Sequence, residues 1–148
     1  MKNKFDIIHT VSLEKIDNNP HWNMPYVPAI KVLSGRPIYI SGVNAAAIYH
    51  SHPHQSNEFD HIDFSPENQA KLTMENLQSI LTAAGGSFND IVQLFIFIVD
   101  AQKNGDQIGK VISSYMNNHV CTSTVVGITE LITDSRLILE ITATAYVN

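Results

Sequence analysis

Residues 65–100 read SPENQAKLTMENLQSILTAAGGSFNDIVQLFIFIVD, and the change of hydrophobic period within this stretch sets the fold class. Ser65 suits a helix N-cap, Pro66 the first helical position and Glu67 the positive end of the helix dipole. Ala70, Met74, Leu77, Leu81 and Ala84 then recur at helical spacing as one apolar stripe, and Gly85-Gly86 ends the helix. From Ile91 to Val99 the period disappears. IVQLFIFIV is almost unbroken apolar, rich in β-branched and aromatic residues, and predicts a strand with apolar side chains on both faces.

Downstream, a second helix is expected from near Asp106, with Ile108, Val111, Ile112 and Tyr115 on its inner face. Val120 to Ile128 and Arg136 to Tyr146 read as two further strands. In the last of these, Leu137, Leu139, Ile141, Ala143 and Ala145 alternate with Ile138, Glu140, Thr142, Thr144 and Tyr146. Upstream, Phe5 to Thr10 is a short β-prone run. It is followed by KIDNNPHWNMPYVP (15–28), whose three prolines forbid a regular helix and predict an irregular loop carrying Trp22 and Tyr26. Ala29 to Leu33 and Pro37 to Ser41 flank Ser34-Gly35-Arg36 and predict a β-hairpin.

The expected order is β-β-β-α-β-α-β-β over a single domain, residues 1–148: an α+β two-layer sandwich with two helices on one face of one sheet. Two helices cannot cover both faces. Because Ile91–Val99 is apolar on both, the second face is expected to meet another subunit.

The chain has 148 residues, 44% of them hydrophobic and 16% charged, enough for one core without disulfides or metal. A net charge of −5 and a pI near 5.7 disfavour nucleic acid as a partner. Only two arginines occur, Arg36 and Arg136. A lone Cys121 excludes an internal disulfide, so a reducing compartment, the cytoplasm, is the expected location. The first residues mix Asp, His and Glu into what a signal peptide needs apolar, and no run approaches the ~18 residues of a membrane span.

Several groups are candidates for chemistry. His50, His52 and His54 project to one side of an extended segment, where imidazoles can ligate Zn²⁺; the plainer reading is a surface loop whose histidines pack and hydrogen-bond. Glu140 lies mid-strand among apolar residues. It either faces an apolar environment that favours proton transfer or shares a wetter face with Thr142 and Thr144. Cys121-Thr122-Ser123-Thr124 has no nucleophile elbow, and Cys121 has no basic neighbour beyond His119. Tyr26 between prolines can wall a pocket or pack its loop down. Phosphate loops and dinucleotide fingerprints are absent from the sequence.

Together, MPYVPAI (24–30), IYISG (38–42), ENLQSILTAAGGSFNDIV (75–92) running into QLFIFIVD (93–100), and LILEITATA (137–145) resemble the RidA/YjgF family, also known as endoribonuclease L-PSP. The resemblance runs from about Asn18 to Tyr146 and is closest to members with a long histidine-containing loop after the first hairpin. It implies a chorismate-mutase-like fold with a mixed sheet, assembled as a homotrimer with ligand clefts between subunits. It also implies hydrolysis of reactive enamines and imines without a cofactor.

On that pattern Tyr26 takes the place of the pocket tyrosine, Ser41 and Gly42 that of the small residues against the ligand, and Phe97 that of a pocket-lining residue. Glu140 takes the place of the carboxylate that activates water. The substrate-binding arginine at the start of the penultimate strand becomes Ser123, beside Thr124. The implied activity is an enamine or imine deaminase-type hydrolase for a small substrate lacking the α-carboxylate. Glu140 would act on water while Tyr26, Ser123 and Thr124 hydrogen-bond the substrate. The alternative is a small-molecule-binding or regulatory trimer that keeps the cleft without turnover. No metal, membrane or nucleic acid partner is implied, and nuclease activity is the weakest reading.

Overall fold

The computed structural model describes residues 4–8 and 26–148. Trp22 and residues 15–25 of the proline-rich loop lie outside them, as do Met24 and Pro25 of the MPYVPAI motif. Eight principal elements follow the expected order: β1 (Phe5–Ile8), β2 (Ala29–Val32), β3 (Arg36–Val43), α1 (Pro66–Ala83), β4 (Ile91–Val99), α2 (Ala101–Met116), β5 (Thr122–Ile128) and β6 (Leu139–Val147).

α1 starts as its sequence dictates. The Ser65 hydroxyl accepts the Asn68 amide, Pro66 fills the first turn, and Ala70, Met74, Leu77 and Leu81 are fully buried. The chain leaves the helix through Gly85 in the left-handed region (φ 76°), with the Gly86 amide bonded to the Leu81 carbonyl. α2 begins at Ala101 rather than near Asp106. Asp100 takes a left-handed conformation (φ 50°), its carbonyl accepts the Lys103 and Asn104 amides, and the Asn104 side chain turns back onto the Val99 carbonyl at 2.8 Å. Those bonds satisfy the start of the helix directly after the strand, and Ile108, Ile112 and Met116 form its buried stripe.

Four strands form a mixed sheet in the order β3-β6-β4-β5, antiparallel except for the parallel β4–β5 pair that α2 connects. α1 packs over β3 and β6, and α2 over β4 and β5. Leu94, Ile96, Ile98, Leu139, Ile141, Ala143 and Ala145 supply the sheet side of the core.

The expected β2–β3 hairpin does not form. β2 pairs instead with β1, antiparallel from Phe5↔Val32 to Ile8↔Ala29, as a separate two-stranded ribbon, so the strands make two sheets rather than one. The chain turns at Gly35 (φ 101°), where a Cβ would meet the Val147 carbonyl oxygen at 3.2 Å, and β3 leaves that turn along the edge of β6. The last strand is also shorter than expected. Residues 135–136 form a turn in which the Asp134 carboxylate accepts the Arg136 amide at 2.9 Å, and β6 starts at Leu139.

Among the described residues no element covers the sheet's other face. Its rows are Tyr39, Thr144 and Gln93; then Thr142, Phe95 and Thr124; then Glu140, Phe97 and Val126. Tyr39 is 78% and Phe95 37% exposed. No helix among the described residues is long and apolar enough to cross a membrane.

Candidate functional site

Glu140 is the second residue of β6, and the alternation of that strand decides its surroundings. Leu139 and Ile141 point under the helices and are fully buried, so Glu140 faces the opposite side with Thr142 and Thr144, half-buried and paired across the ladder with Phe97. Beside it β3 carries a bulge. Ile40 pairs with Ala143 and Val43 with Ile141, so Ser41 and Gly42 together oppose Thr142. The bulge brings the Gly42 backbone against the Glu140 carboxylate: a Cβ on Gly42 would lie 2.5 Å from Oε1 and 2.6 Å from Cδ.

Asn44 holds the carboxylate from the other side. Its Nδ2 donates to Glu140 Oε2 at 3.3 Å and to Thr133 Oγ1 at 3.4 Å, while its Oδ1 accepts the Ala46 amide at 2.9 Å. α1 fixes this turn through Asn76, whose Nδ2 donates to the Asn44 and Ala46 carbonyls at 2.9 and 2.8 Å. Asn44, Asn76 and Thr133 are absent from the residues read from sequence. Their available signal was Asn44 following the strand-ending SGV, an Asx-turn former whose side chain bonds the amide two residues on.

Ser41, Gly42 and Glu140 line a cavity of about 350 Å³ together with the apolar side chains of Ile48, Ile80 and Ile132. The Asn44 turn and Thr133 also border it, and the histidine loop forms a further wall. The rings of His50, His52 and His54 lie 4.6 to 5.2 Å apart between centroids, and one ligand nitrogen from each falls within 4.8 Å of the others. His50 stacks edge-on against Phe59, which is 1% exposed in a second small core with Ile62, Leu131 and Leu137. Arg136 clamps the loop from below. It forms a two-pronged pair with Asp134 (2.9 and 3.1 Å), bonds Asp60 at 2.7 Å and the Ser56 carbonyl at 2.6 Å, and covers the Phe64 ring. The guanidinium holds the Asp134 carboxyl down to about 2 through its hydrogen bonds, against the opposing effect of burial.

The remaining expected site residues lie elsewhere on the chain. Phe97 and Thr124 share the open sheet face with Glu140. Ser123 pairs with Leu94 and faces the helix side, where it lines a cavity of about 720 Å³ with Tyr26 and His119. β4 separates Ser123 from Glu140, and the ladder offsets them by three residues, so their backbones are about 14 Å apart on opposite faces. One chain therefore supplies two halves, Glu140 with the bulge and Tyr26 with Ser123, that do not meet within it.

Neither arginine stands at Ser123. Arg136 is committed to the histidine loop, and Arg36 opens β3 opposite Val147, five residues from Ser41. His119 is likewise committed, donating Nε2–H to the Ile91 carbonyl at 2.7 Å. Burial pushes the Cys121 thiol up to about 11, which removes it as a nucleophile near neutral pH.

The family model for endoribonuclease L-PSP matches residues 16–147. The chain belongs to the Rid/YjgF family. Solved structures of this family share the fold. A Rid protein of unknown function, YyfB from Yersinia pestis, has a TM-score of 0.73 at 21% identity over 98% of this chain and 100% of its own. A member of the YjgF/YER057c/UK114 family from Mycobacterium tuberculosis has a TM-score of 0.60 at 18% identity, covering 97% and 99%. Yeast Mmf1 has a TM-score of 0.60 at 22% identity, covering 83% and 87%. No curated protein sequence matches the chain.

Proposed function

We propose that this Rid-family protein hydrolyses small reactive imines, and enamines that tautomerise to them, with Glu140 handling the proton. The carrying observation is the Glu140 carboxylate, laid over Gly42 and held by Asn44 at the wall of a largely apolar cavity that opens to one side. In the reaction, a water oxygen bonds to the imine carbon as Glu140 takes the water proton. Glu140 returns that proton to the nitrogen, and the carbinolamine collapses to a carbonyl and ammonia. An enamine reaches the same imine by protonation at carbon with loss of a proton from nitrogen. A positioned carboxylate contributes about 10²–10⁴-fold to such a step.

The substrate class follows from the lining. Ile48, Ile80 and Ile132 present apolar surface, and Ser123 takes the position where the family resemblance puts a carboxylate-gripping arginine. A small imine without an α-carboxylate fits these walls. The protein assembles as a homotrimer through its open sheet face, where Tyr39, Phe95 and Val126 leave apolar surface exposed. β5 is the edge strand of the sheet, so the neighbouring subunit's Thr124 on the open face, with its Tyr26 and Ser123 reaching round that edge, then completes the cleft at Glu140, Phe97, Ser41 and Gly42. This account uses no cofactor for the proton transfers.

Ser123 also favours a second reading, a ligand-binding trimer without turnover. The two separate on product formation from freshly generated imines with and without an α-carboxylate. Hydrolysis of the carboxylate-free imine above the buffer rate, with a gain on carboxylate-bearing imines in Ser123→Arg, supports the enzyme. Saturable binding with no acceleration of either class supports the binding protein.

A further inference from the structure

The histidine loop forms a wall of the same cavity, and the catalytic account above leaves it without a role. We propose that His50, His52 and His54 bind one first-row divalent cation, Zn²⁺, with the fourth coordination position opening into the cavity beside Glu140.

Alternating His-x-His-x-His spacing brings all three imidazoles together from a single five-residue segment, with their ligand nitrogens within 4.8 Å. A tetrahedral zinc site with Zn–N bonds of 2.0–2.1 Å needs nitrogens about 3.4 Å apart, which small ring rotations supply. The tautomer of His50 is already set. A carbonyl oxygen only accepts, so the 2.8 Å contact between Nδ1 and the Ala47 carbonyl makes Nδ1 the donor and leaves the Nε2 lone pair free for a metal. This is the outer hydrogen bond that metal-binding histidines characteristically make.

The backbone is held in place around the cluster. The Ser51 amide donates to Glu58 at 3.0 Å, Gln55 reaches the Pro53 carbonyl at 3.3 Å, and Arg136 fixes Ser56 and Asp60. His50 rests on the buried Phe59. Three neutral nitrogen ligands suit zinc and its borderline neighbours rather than Mg²⁺ or Ca²⁺, which take oxygen. Three protein ligands leave one position for water or a substrate atom, and the cavity shared with Glu140 is where it opens.

The test uses full-length protein purified without a polyhistidine tag and stripped with chelator. Zn²⁺ alone is titrated against a chromogenic chelator, and Co²⁺ is added separately to read its visible spectrum. The expected results are about one Zn²⁺ per chain and the intense bands of four-coordinate Co²⁺. His52→Ala and His54→Ala should each weaken binding at least about tenfold. His61→Ala, a histidine outside the cluster, should leave it unchanged. His52 is exposed, so its variant is checked for an unaltered circular dichroism spectrum and melting curve. Stoichiometry far below one per chain, binding indifferent to His52→Ala and His54→Ala, or an octahedral Co²⁺ spectrum would overturn the site. Metal binding is read without substrate, so its failure leaves the hydrolase reading untouched, and the reverse holds.

Discussion

The Glu140 carboxylate occupies the space where any side chain on Gly42 would begin, 2.5 Å from an ideal Cβ at that position. Glycine is needed here for the room it leaves rather than for its backbone freedom. The bulge at Ser41-Gly42 puts the backbone of the edge strand against the one carboxylate on the open face of β6.

Gly42→Ala should therefore displace the carboxylate rather than unfold the chain, because the crowded atoms are the far end of a flexible side chain. The expected result is a fall in kcat/KM toward an imine of about 10- to 100-fold, since misplacement of about 1 Å is enough for that. The urea midpoint should change little. A large loss of stability with full specific activity in the folded fraction would show that the contact is structural only.

Asn44→Ala removes the donor to Glu140 and Thr133 and strands the Ala46 amide, which now bonds Oδ1. Leaving such a buried group unsatisfied costs about 1–3 kcal/mol, measurable by urea unfolding. Activity should fall together with stability. An unchanged unfolding curve would mean that the network does not brace the turn.

The Asp134–Arg136 pair predicts an acid dependence. Asp134 titrates near 2 in the folded protein, below the ~3.9 of an unfolded aspartate, so the unfolded chain binds more protons between these values. Its contribution to stability is present above about pH 5 and is lost as pH falls through about 2. Asp134→Asn should cost about 1–3 kcal/mol near neutral pH, and the gap to wild type should narrow below about pH 4. Denaturation curves measured across that range check it; a gap that stays constant with pH would count against the ion pair as its source.

Phe95→Asp places a charge at the centre of the open sheet face. Light scattering should show wild type at three times the chain mass and the variant as smaller species. A monomeric wild type at micromolar concentration would remove the interface and, with it, the completion of the cleft by a second subunit.

Period and punctuation made the main elements legible. The stripe from Ala70 to Leu81, the capping at Ser65-Pro66 and the alternation along β6 depend on local rules, and each has its counterpart in the structure. Strand pairing depends on distant partners, which is why β2 joined β1 while the Gly35 turn suggested a hairpin. The two readings of Glu140 resolved once Leu139 and Ile141 were seen beneath the helices, leaving Glu140 with Thr142 and Thr144. The distant partners of Asn44, Asn76 and Gln69 were not legible because those bonds span from about thirty to almost a hundred residues. Gln69, fully buried, bonds the Phe64 and Arg136 carbonyls and the Ile138 amide, tying α1 to the start of β6. The separation of Ser123 from Glu140 follows from register and face, which the sequence order alone does not reveal.

The most direct test of the Glu140 assignment is the rate of carbonyl product formation from a freshly generated, carboxylate-free imine, for wild type and Glu140→Gln at equal folded concentration. The amide keeps the shape but cannot accept the water proton. The prediction is hydrolysis well above the buffer rate for wild type and a loss of about 10²-fold or more in the variant. Wild type indistinguishable from buffer, or a variant as fast as wild type, would contradict it.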